Sequence, residues 1–365
     1  FPQDLMSQNI LPGLFGTGVA SCPISLGPQP PPIGRPTGWE FVSQASPSWP
    51  VGGDANMRDP VSGNPMYLAK DGYAYVFNWN DGVGPAFDFT QSLSQSYDND
   101  NNRVQLPFYG VQMDDGEIVY LGAWSVNESP YNKTCKYNPT TGVFTSDNSS
   151  YNNFGVPWSS DALINTNHVD CQLLTAMTLG NDGFIYTFGY SCRNDGHELP
   201  YTFFWDTDTN QWDKKASWDT INGNLSYTNG FALTLANGKI LHGGGMSGGS
   251  STDRSRVWLY DPGSDLHTVT NPIPFTGSRT NAFAPLAILL DNGEAYVGLG
   301  GNAQGTGSRE CYAFNPNGQV WEQTIDLPEL IHADPNGSAC AAFHKLPDGK
   351  LLLFTFQGVY KATYD

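Results

Sequence analysis

The sequence predicts an all-β protein, a six-bladed β-propeller built from four-stranded antiparallel blades. An Asp-Gly or Asn-Gly dipeptide recurs six times between apolar, strand-like runs. Such dipeptides suit the two-residue type I′ hairpin turn. Their glycines are separated by 44, 67, 55, 55 and 56 residues, and a period near 55 indicates a repeat array. These glycines are Gly72, Gly116, Gly183, Gly238, Gly293 and Gly349.

Each repeat has a second half that predicts a second hairpin. An aromatic residue followed by Asp or Asn lies 21 or 22 residues after four of the glycines, and a further aromatic or histidine follows seven residues later. Two hairpins give four strands for each blade. The pairs are Tyr137-Asn138, Trp205-Asp206, Tyr260-Asp261 and Phe314-Asn315.

The last repeat stops at Tyr364-Asp365, before its fourth strand. A strand-like run at residues 37–42 supplies the missing one, so we expect an N-terminal strand to close the last blade and leave no open sheet edge. The predicted organisation is a propeller over residues 38–365 and a proline-rich extension over residues 1–37. That extension either packs across a propeller face or serves as a docking peptide for a partner.

Two repeats share a run of glycines that is followed by an aromatic-Asp/Asn-Pro triplet. The segments are the glycines at 243–245 and 300–301, Tyr260-Asp261-Pro262, Phe314-Asn315-Pro316 and Trp321. They resemble the kelch family of β-propellers, including the propeller domain of galactose oxidase-like proteins. The resemblance covers residues 38–365 and implies a propeller fold. The copper site of galactose oxidase-like enzymes uses an adjacent Tyr-His pair, which this sequence lacks, so the resemblance does not imply that activity.

Cysteines and glycosylation motifs predict a secreted glycoprotein. Six cysteines permit three disulfides. Cys171 and Cys192 face each other across one predicted hairpin if its ladder has no bulge, and Cys311–Cys340 and Cys22–Cys135 are weaker pairings. The alternative is six buried free thiols in a cytosolic protein. Phe1 in place of a methionine fits a removed signal peptide. The Asn-x-Ser/Thr motifs are at Asn127, Asn132, Asn148, Asn224 and Asn336.

The charge balance restricts the partners. A net charge of −18 disfavours nucleic acid and anionic membranes, and no apolar run approaches the 18 residues of a membrane span. No cofactor is predicted apart from a possible calcium ion. Asp98 and Asp100 lie in the densest run of oxygen ligands, but this run lacks the EF-hand spacing. A solvated loop between blades is the alternative.

Loops that lead into the innermost strands converge on a propeller axis and are expected to hold the functional site. A Thr-Asn or Pro-Asn pair recurs there, and the alternative role for its asparagine is to cap a turn. Arg58, Arg103 and Arg279 would bind carboxylates. His168, His332 and Tyr109 are the candidate general acids or bases. His242 and His344 fall in inner strands and are expected to be satisfied interior residues. The recurring asparagines are Asn167, Asn229, Asn281 and Asn336.

Two classes of function remain. The favoured one is a secreted, non-catalytic binding module for a glycan or protein ligand at one propeller face. The alternative is a secreted lyase or hydrolase acting on an acidic polysaccharide, with Arg58, Arg279, His168 and Tyr109 around the axis. A structural or storage role is a third possibility. The blades diverge in sequence, which favours one axial site over six equivalent ones.

Overall fold

The structure is a computed structural model that describes sixteen segments of the chain, and these hold 23 β-strands. The segments are residues 34–44, 57–69, 73–79, 86–92, 106–123, 133–146, 174–192, 198–207, 211–217, 230–244, 255–274, 286–300, 308–331, 341–346, 348–355 and 357–365.

The strands are short, from three to nine residues, as the frequent turn dipeptides predict. In chain order they are β1 Gly38–Gln44, β2 Met66–Leu68, β3 Tyr73–Asn78, β4 Ala86–Ser92, β5 Leu106–Gln112, β6 Ile118–Ala123, β7 Lys133–Asn138, β8 Val143–Ser146, β9 Leu174–Leu179, β10 Ile185–Cys192, β11 Glu198–Asp206, β12 Gln211–Ser217, β13 Phe231–Thr234, β14 Ile240–Gly243, β15 Val257–Asp261, β16 Leu266–Val269, β17 Leu286–Leu289, β18 Ala295–Gly298, β19 Cys311–Asn315, β20 Val320–Gln323, β21 Ala341–Lys345, β22 Leu351–Thr355 and β23 Gly358–Thr363.

The described strands form six antiparallel sheets, numbered here along the chain. Sheet 1 contains β2–β4, sheet 2 β5–β8, sheet 3 β9–β12, sheet 4 β13–β16 and sheet 5 β17–β20, and sheet 6 has the order β1-β23-β22-β21. The all-β propeller class is confirmed. Among the described residues, five sheets are four-stranded blades and sheet 1 has three strands, so five complete blades are detected there and not the six that the sequence predicts.

The N-terminal strand closes the last sheet, as predicted. β1 pairs antiparallel with β23 from Gly38↔Thr363 to Gln44↔Gly358, with an irregularity between Phe41 and Ser43. This pairing gives sheet 6 its fourth strand and covers the edge of β23, which would otherwise present unpaired backbone groups to other chains.

The turn glycines take a different conformation from the one the sequence predicts. Gly116, Gly183, Gly238, Gly293 and Gly349 have φ between 81° and 85°, and the Asp or Asn before each of them does not have a positive φ. Each glycine N–H donates to the carbonyl three residues earlier, for example Gly116 to Met113 at 2.9 Å. This is a type I turn followed by a left-handed glycine, so the prediction of type I′ turns is wrong.

In sheet 1, the turn that follows the innermost segment is not the Asp-Gly turn that the sequence repeat predicts. Gly63, with φ 71°, donates to the Asp59 carbonyl, four residues earlier and not three, so this turn is one residue longer than the others, and Arg58 pairs with Pro65. The turn at 59–64 therefore joins the innermost segment of sheet 1 to β2. Asp71-Gly72 lies outside the described residues, between β2 and β3, so its place in the blade is one strand later than predicted. Gly63 precedes Gly116 by 53 residues, which restores the repeat period.

Among the described residues, six hydrophobic clusters fill the interfaces between neighbouring sheets, including the interface of sheet 6 with sheet 1. In that interface Tyr67 and Phe77 pack on Phe354, with ring centroids 5.2 Å and 5.3 Å apart. Each sheet buries both faces against its two neighbours. This explains why the strands are rich in aromatic and β-branched residues.

Arg35 ties the closing strand to sheet 5. Its Nε and Nη2 donate to Glu294 at 2.8 Å and 2.7 Å, and its Nη1 donates to Glu322 at 2.5 Å. The Glu294 side chain is only 13% exposed. A bidentate arginine–carboxylate pair with low exposure is stronger than a typical surface pair. Arg35 belongs to the extension predicted for residues 1–37, whose first 33 residues lie outside the described residues.

We expect Arg35→Gln to lower the free energy of unfolding by about 1.5–3 kcal/mol, because charge-assisted hydrogen bonds are lost from a partly buried carboxylate. Urea denaturation at neutral pH measures this loss. In the control, Lys239→Gln breaks a 3.5 Å pair with Asp261 in which both partners are exposed, and the loss should stay below about 1 kcal/mol.

The Arg35 contribution also has a defined pH dependence. The hydrogen bond from Arg35 lowers the pKa of Glu294 below 4.5. The contribution is present above the pKa of the unfolded carboxyl and is lost as pH falls through the folded pKa. Equal losses for both variants, or a loss that stays constant into the acid range, would contradict this account.

Cys311 is a buried free thiol in the hydrophobic cluster between sheets 5 and 6. Burial raises the pKa of this thiol to about 12. The predicted Cys311–Cys340 disulfide is therefore not formed in this structure. In sheet 3 the β9/β10 ladder pairs Ile185 with Leu179 and shifts at a bulge beside Gly189, so the assumption of a ladder without a bulge is wrong. Cys171, like Cys22 and Cys340, lies outside the described residues, and the Cys171–Cys192 and Cys22–Cys135 pairings stay predictions.

We expect Cys311 to resist iodoacetamide in the native protein and to be alkylated after unfolding without reductant, because a buried thiol with a raised pKa is a poor nucleophile. Peptide mass spectrometry of the two samples gives the answer. A Cys311 that becomes reactive only after reduction would mean that it is disulfide-bonded and would contradict the structure.

Candidate functional site

Six residues occupy equivalent positions around the propeller axis, five of them at the end of an inner strand and Arg58 at an isolated bridge with Pro65. Each of them immediately precedes the residue at which the tight turn begins, and all six are half-buried. The inner strands β5, β9, β13, β17 and β21 contact one another in succession. We call these residues the axial ring: Arg58, Gln112, Leu179, Thr234, Leu289 and Lys345.

The four polar members of the axial ring connect neighbouring sheets. Gln112 Nε2 donates to the Arg58 carbonyl at 2.7 Å, and Thr234 Oγ1 donates to the Leu179 carbonyl at 2.7 Å. Lys345 Nζ donates to the Leu289 carbonyl at 3.3 Å. Each of these bonds runs from a ring residue to its counterpart in the preceding sheet.

The same pattern continues where sheet 1 meets sheet 6. Arg58 Nη2 donates to the carbonyl of Lys345, and Arg58 Nη1 donates to the Gly63 carbonyl at 3.2 Å. The Arg58 backbone N–H donates to Gln112 Oε1 at 2.7 Å. Arg58 is therefore held from both sides, and its position is fixed by the closure of the propeller.

The ring is chemically uneven around the axis. Two cationic members, Arg58 and Lys345, are neighbours, and two leucines, Leu179 and Leu289, lie in sheets 3 and 5. Lys345 forms an ion pair with Asp291. Arg58 has no carboxylate within ion-pair distance among the described residues, and burial lowers its pKa. The cationic part of the ring therefore holds one charge that is neutralised and one that is not.

His344 lies beside this cationic part and is 2% exposed. Its Nε2 has no hydrogen-bond partner among the residues that the structure describes. Burial, with a smaller contribution from the positive charge of Arg58, lowers the pKa of His344 to about 3. The prediction that His344 is an interior residue is confirmed, and the prediction that its polar atoms are satisfied is wrong for Nε2.

Two further histidines, His242 and His267, form a pair in the interface between sheets 3 and 4. His242 Nε2 is 3.1 Å from His267 Nδ1, and His267 Nε2 is 2.8 Å from Thr202 Oγ1. The His242 ring stacks between Phe188 and Trp258, at centroid distances of 3.8 Å and 5.6 Å. Burial lowers the pKa of both histidines, that of His267 to about 3. The pair is neutral and belongs to the interior, as the sequence predicts for His242.

The structure places two of the sequence-predicted site residues in unexpected positions. Arg58 is not in a loop that leads into the first inner strand. It lies in that innermost segment, at the turn end. Tyr109 is part of β5 and pairs with Leu121, so it is a strand residue and not a loop residue. The correction for Arg58 follows because the inner turn of sheet 1 is at residues 59–64 and not at Asp71-Gly72.

The other candidate site residues lie outside the described residues, and their roles stay predictions. They are Arg103, Arg279, His168, His332, Asn167, Asn229, Asn281 and Asn336, the calcium candidates Asp98 and Asp100, and the glycosylation candidates Asn127, Asn132, Asn148 and Asn224.

Gln112 and Lys345 were not predicted as site residues, although a sequence signal marks them. Five ring members lie four residues before a turn glycine, as Gln112 lies before Gly116. This offset identifies the ring once the glycines are aligned. Arg58 lies five residues before Gly63 because the first turn is one residue longer, so the alignment alone does not find it.

No family model and no curated protein matches the chain. Among solved structures, the chain is similar to one titled "Structure of YjhT", with a TM-score of 0.56 and 11% sequence identity. The match covers 88% of this chain and 95% of that chain. At this level of identity the similarity shows the fold alone, which is a β-propeller. The kelch-type resemblance stays a prediction.

No helix in the described segments is long and apolar enough to cross a bilayer. Within those segments, no three His, Cys, Asp or Glu side chains are grouped as a metal site requires.

The buried histidines make stability depend on pH. Their folded pKa values lie below the ordinary value of 6.5, so the unfolded chain takes up protons that the folded chain excludes. The free energy of unfolding should therefore fall as pH decreases from about 6.5 towards 3. We expect His344→Leu to reduce the slope by up to about 1.4 kcal/mol per pH unit. Urea denaturation between pH 7 and pH 4 checks this, and an unchanged slope would contradict it.

Proposed function

We propose that the protein is a non-catalytic binding module that recognises a glycan or protein ligand at the propeller face around the axial ring. The observation that carries the proposal is the chemistry of the ring. Its six members are equivalent in position and half-buried, and they carry five different types of side chain. A face with one cationic part and two apolar parts suits a single asymmetric ligand.

The hydrogen bonds between sheets support recognition by a preformed surface. Gln112, Thr234 and Lys345 each bond to the backbone of the preceding sheet, and Arg58 is fixed by both of its neighbours. Side chains that are already ordered lose less conformational entropy when a ligand binds. The ring is therefore preorganised, as binding surfaces with one defined ligand commonly are.

Binding is favoured over catalysis by the states of the described titratable groups near the ring. Arg58 and Lys345 are cations that bond to backbone carbonyls, and His344 is held neutral by burial. A general acid or base needs a pKa near the working pH and access to the substrate. The enzyme alternative depends on Arg279 and His168, which lie outside the described residues.

An extracellular location is part of the proposal. It depends on the five glycosylation motifs and on the cysteines of the sequence. Loss of mass after treatment of the protein with an endoglycosidase would support it, and an unmodified chain from the native source would contradict it.

The experiment is a screen of the full chain on a glycan array and a protein array, together with a test for polysaccharide depolymerisation. Ring variant Leu289→Gln should weaken binding of any ligand found by at least about tenfold, because the ring borders the ligand. The matched control is Leu266→Gln in β16, where the side chain is 62% exposed on an outer strand, and its affinity should be unchanged.

Circular dichroism and a thermal melt establish that both variants are folded before affinities are compared. Release of sugar fragments from a polysaccharide would overturn the non-catalytic part of the proposal. A ligand whose affinity is equal for the wild type and the ring variant would overturn the placement at the axial ring.

A further inference from the structure

Among the described residues, the half-buried guanidinium of Arg58 has an incomplete set of hydrogen-bond partners. A guanidinium has five N–H donors. Two of them bond to carbonyl oxygens of described residues, those of Gly63 and Lys345. No carboxylate of the described segments is within ion-pair distance. Burial without a counter-ion is unfavourable for a charge, and burial accordingly lowers the pKa of Arg58.

The lack of a carboxylate contrasts with the composition of the chain, which has 35 acidic and 17 basic residues. Arg35 and Lys345 each have an acidic partner. The acidic residue nearest to Arg58 in sequence is Asp59, but its Oδ2 accepts hydrogen bonds from the Ser62 N–H at 2.9 Å and from Ser62 Oγ at 2.5 Å. Asp59 is thus used within its own turn.

The surroundings of Arg58 within the described segments do not supply its counter-charge. Lys345, its neighbour in the axial ring, is itself paired with Asp291, and His344, which precedes Lys345, is held neutral by burial. A carboxylate placed against the guanidinium would supply the missing counter-charge and take two parallel N–H···O bonds, the geometry that arginine offers and lysine does not. The position of the guanidinium is already set by its hydrogen bonds to the carbonyls of Gly63 and Lys345.

We propose that Arg58 forms a carboxylate-binding subsite at the junction of sheets 1 and 6, and that the ligand of the axial ring is an acid that presents a free carboxylate there. This inference rests on the proposed function, since it names the chemical class that the same face recognises. A uronic acid and an acidic amino-acid side chain both present this group.

The test compares acids with their amides on the full wild-type chain by isothermal titration calorimetry. The probes are glucuronate against glucuronamide, and Ac-Glu-NH2 against Ac-Gln-NH2. We expect at least one acid to bind at least about tenfold more tightly than its amide, because a charge-assisted bidentate contact is replaced by a neutral one. The pair that shows the difference identifies the source of the carboxylate.

Variants then locate the site. Arg58→Gln should abolish the preference for the acid, and Arg58→Lys should retain only part of it, because lysine keeps the charge and loses the planar fork. The matched control is Arg309→Gln. Arg309 is an exposed arginine whose Nε donates to the Leu327 carbonyl at 2.6 Å, and removing it should leave the preference unchanged.

The comparison of acid with amide on the wild type does not depend on a variant that folds. Equal affinity of acid and amide in both pairs, or a preference that survives in folded Arg58→Gln, overturns the carboxylate subsite. If the arrays yield a ligand that binds at the ring but carries no acid, the subsite fails and the binding function stands. If the arrays yield no ligand at all, the proposed function fails.

Discussion

The antiparallel pairing of β1 with β23 is the interaction on which the other features of this structure depend. It joins residues at opposite ends of the described chain, Gly38 with Thr363, and completes sheet 6. With that sheet complete, every sheet has two neighbours, and each hydrophobic face is buried against another. Arg35 strengthens the closure by reaching Glu294 in sheet 5. A propeller left open here would expose both a strand edge and the aromatic cluster around Tyr67 and Phe354.

Closure also explains why one end of the inner strands can serve as a site. Equivalent residues of all six sheets are brought around one axis, so side chains that are distant in sequence become neighbours. Arg58 and Lys345 are 287 residues apart and share a hydrogen bond. The sheets supply the frame, and the side chains of the ring residues differ from one sheet to the next. This separation of frame and site is why propellers host many unrelated functions.

The polar groups of the interior fall into two kinds. His242 and His267 satisfy each other and Thr202 within an aromatic interface, and they contribute to packing. Within the described segments, Arg58 and His344 instead leave donor or acceptor capacity unused near the junction of sheets 1 and 6. An incompletely bonded polar group costs stability. The carboxylate proposed for the Arg58 subsite would complete the bonding of that guanidinium.

The sequence by itself determined the propeller class, the hairpin repeats, the closing strand and the burial of His242, because each follows from local spacing of glycines and apolar residues. It did not determine which strands the first hairpin joins. A turn glycine shows that two strands are connected, but their rank in the sheet depends on which neighbours they pair with. Only the tertiary structure placed Gly63, and not Gly72, at the inner turn. The position of Arg58 in the axial ring follows from that pairing, and so does its contact with Lys345, because long-range hydrogen bonds leave no trace in local pattern.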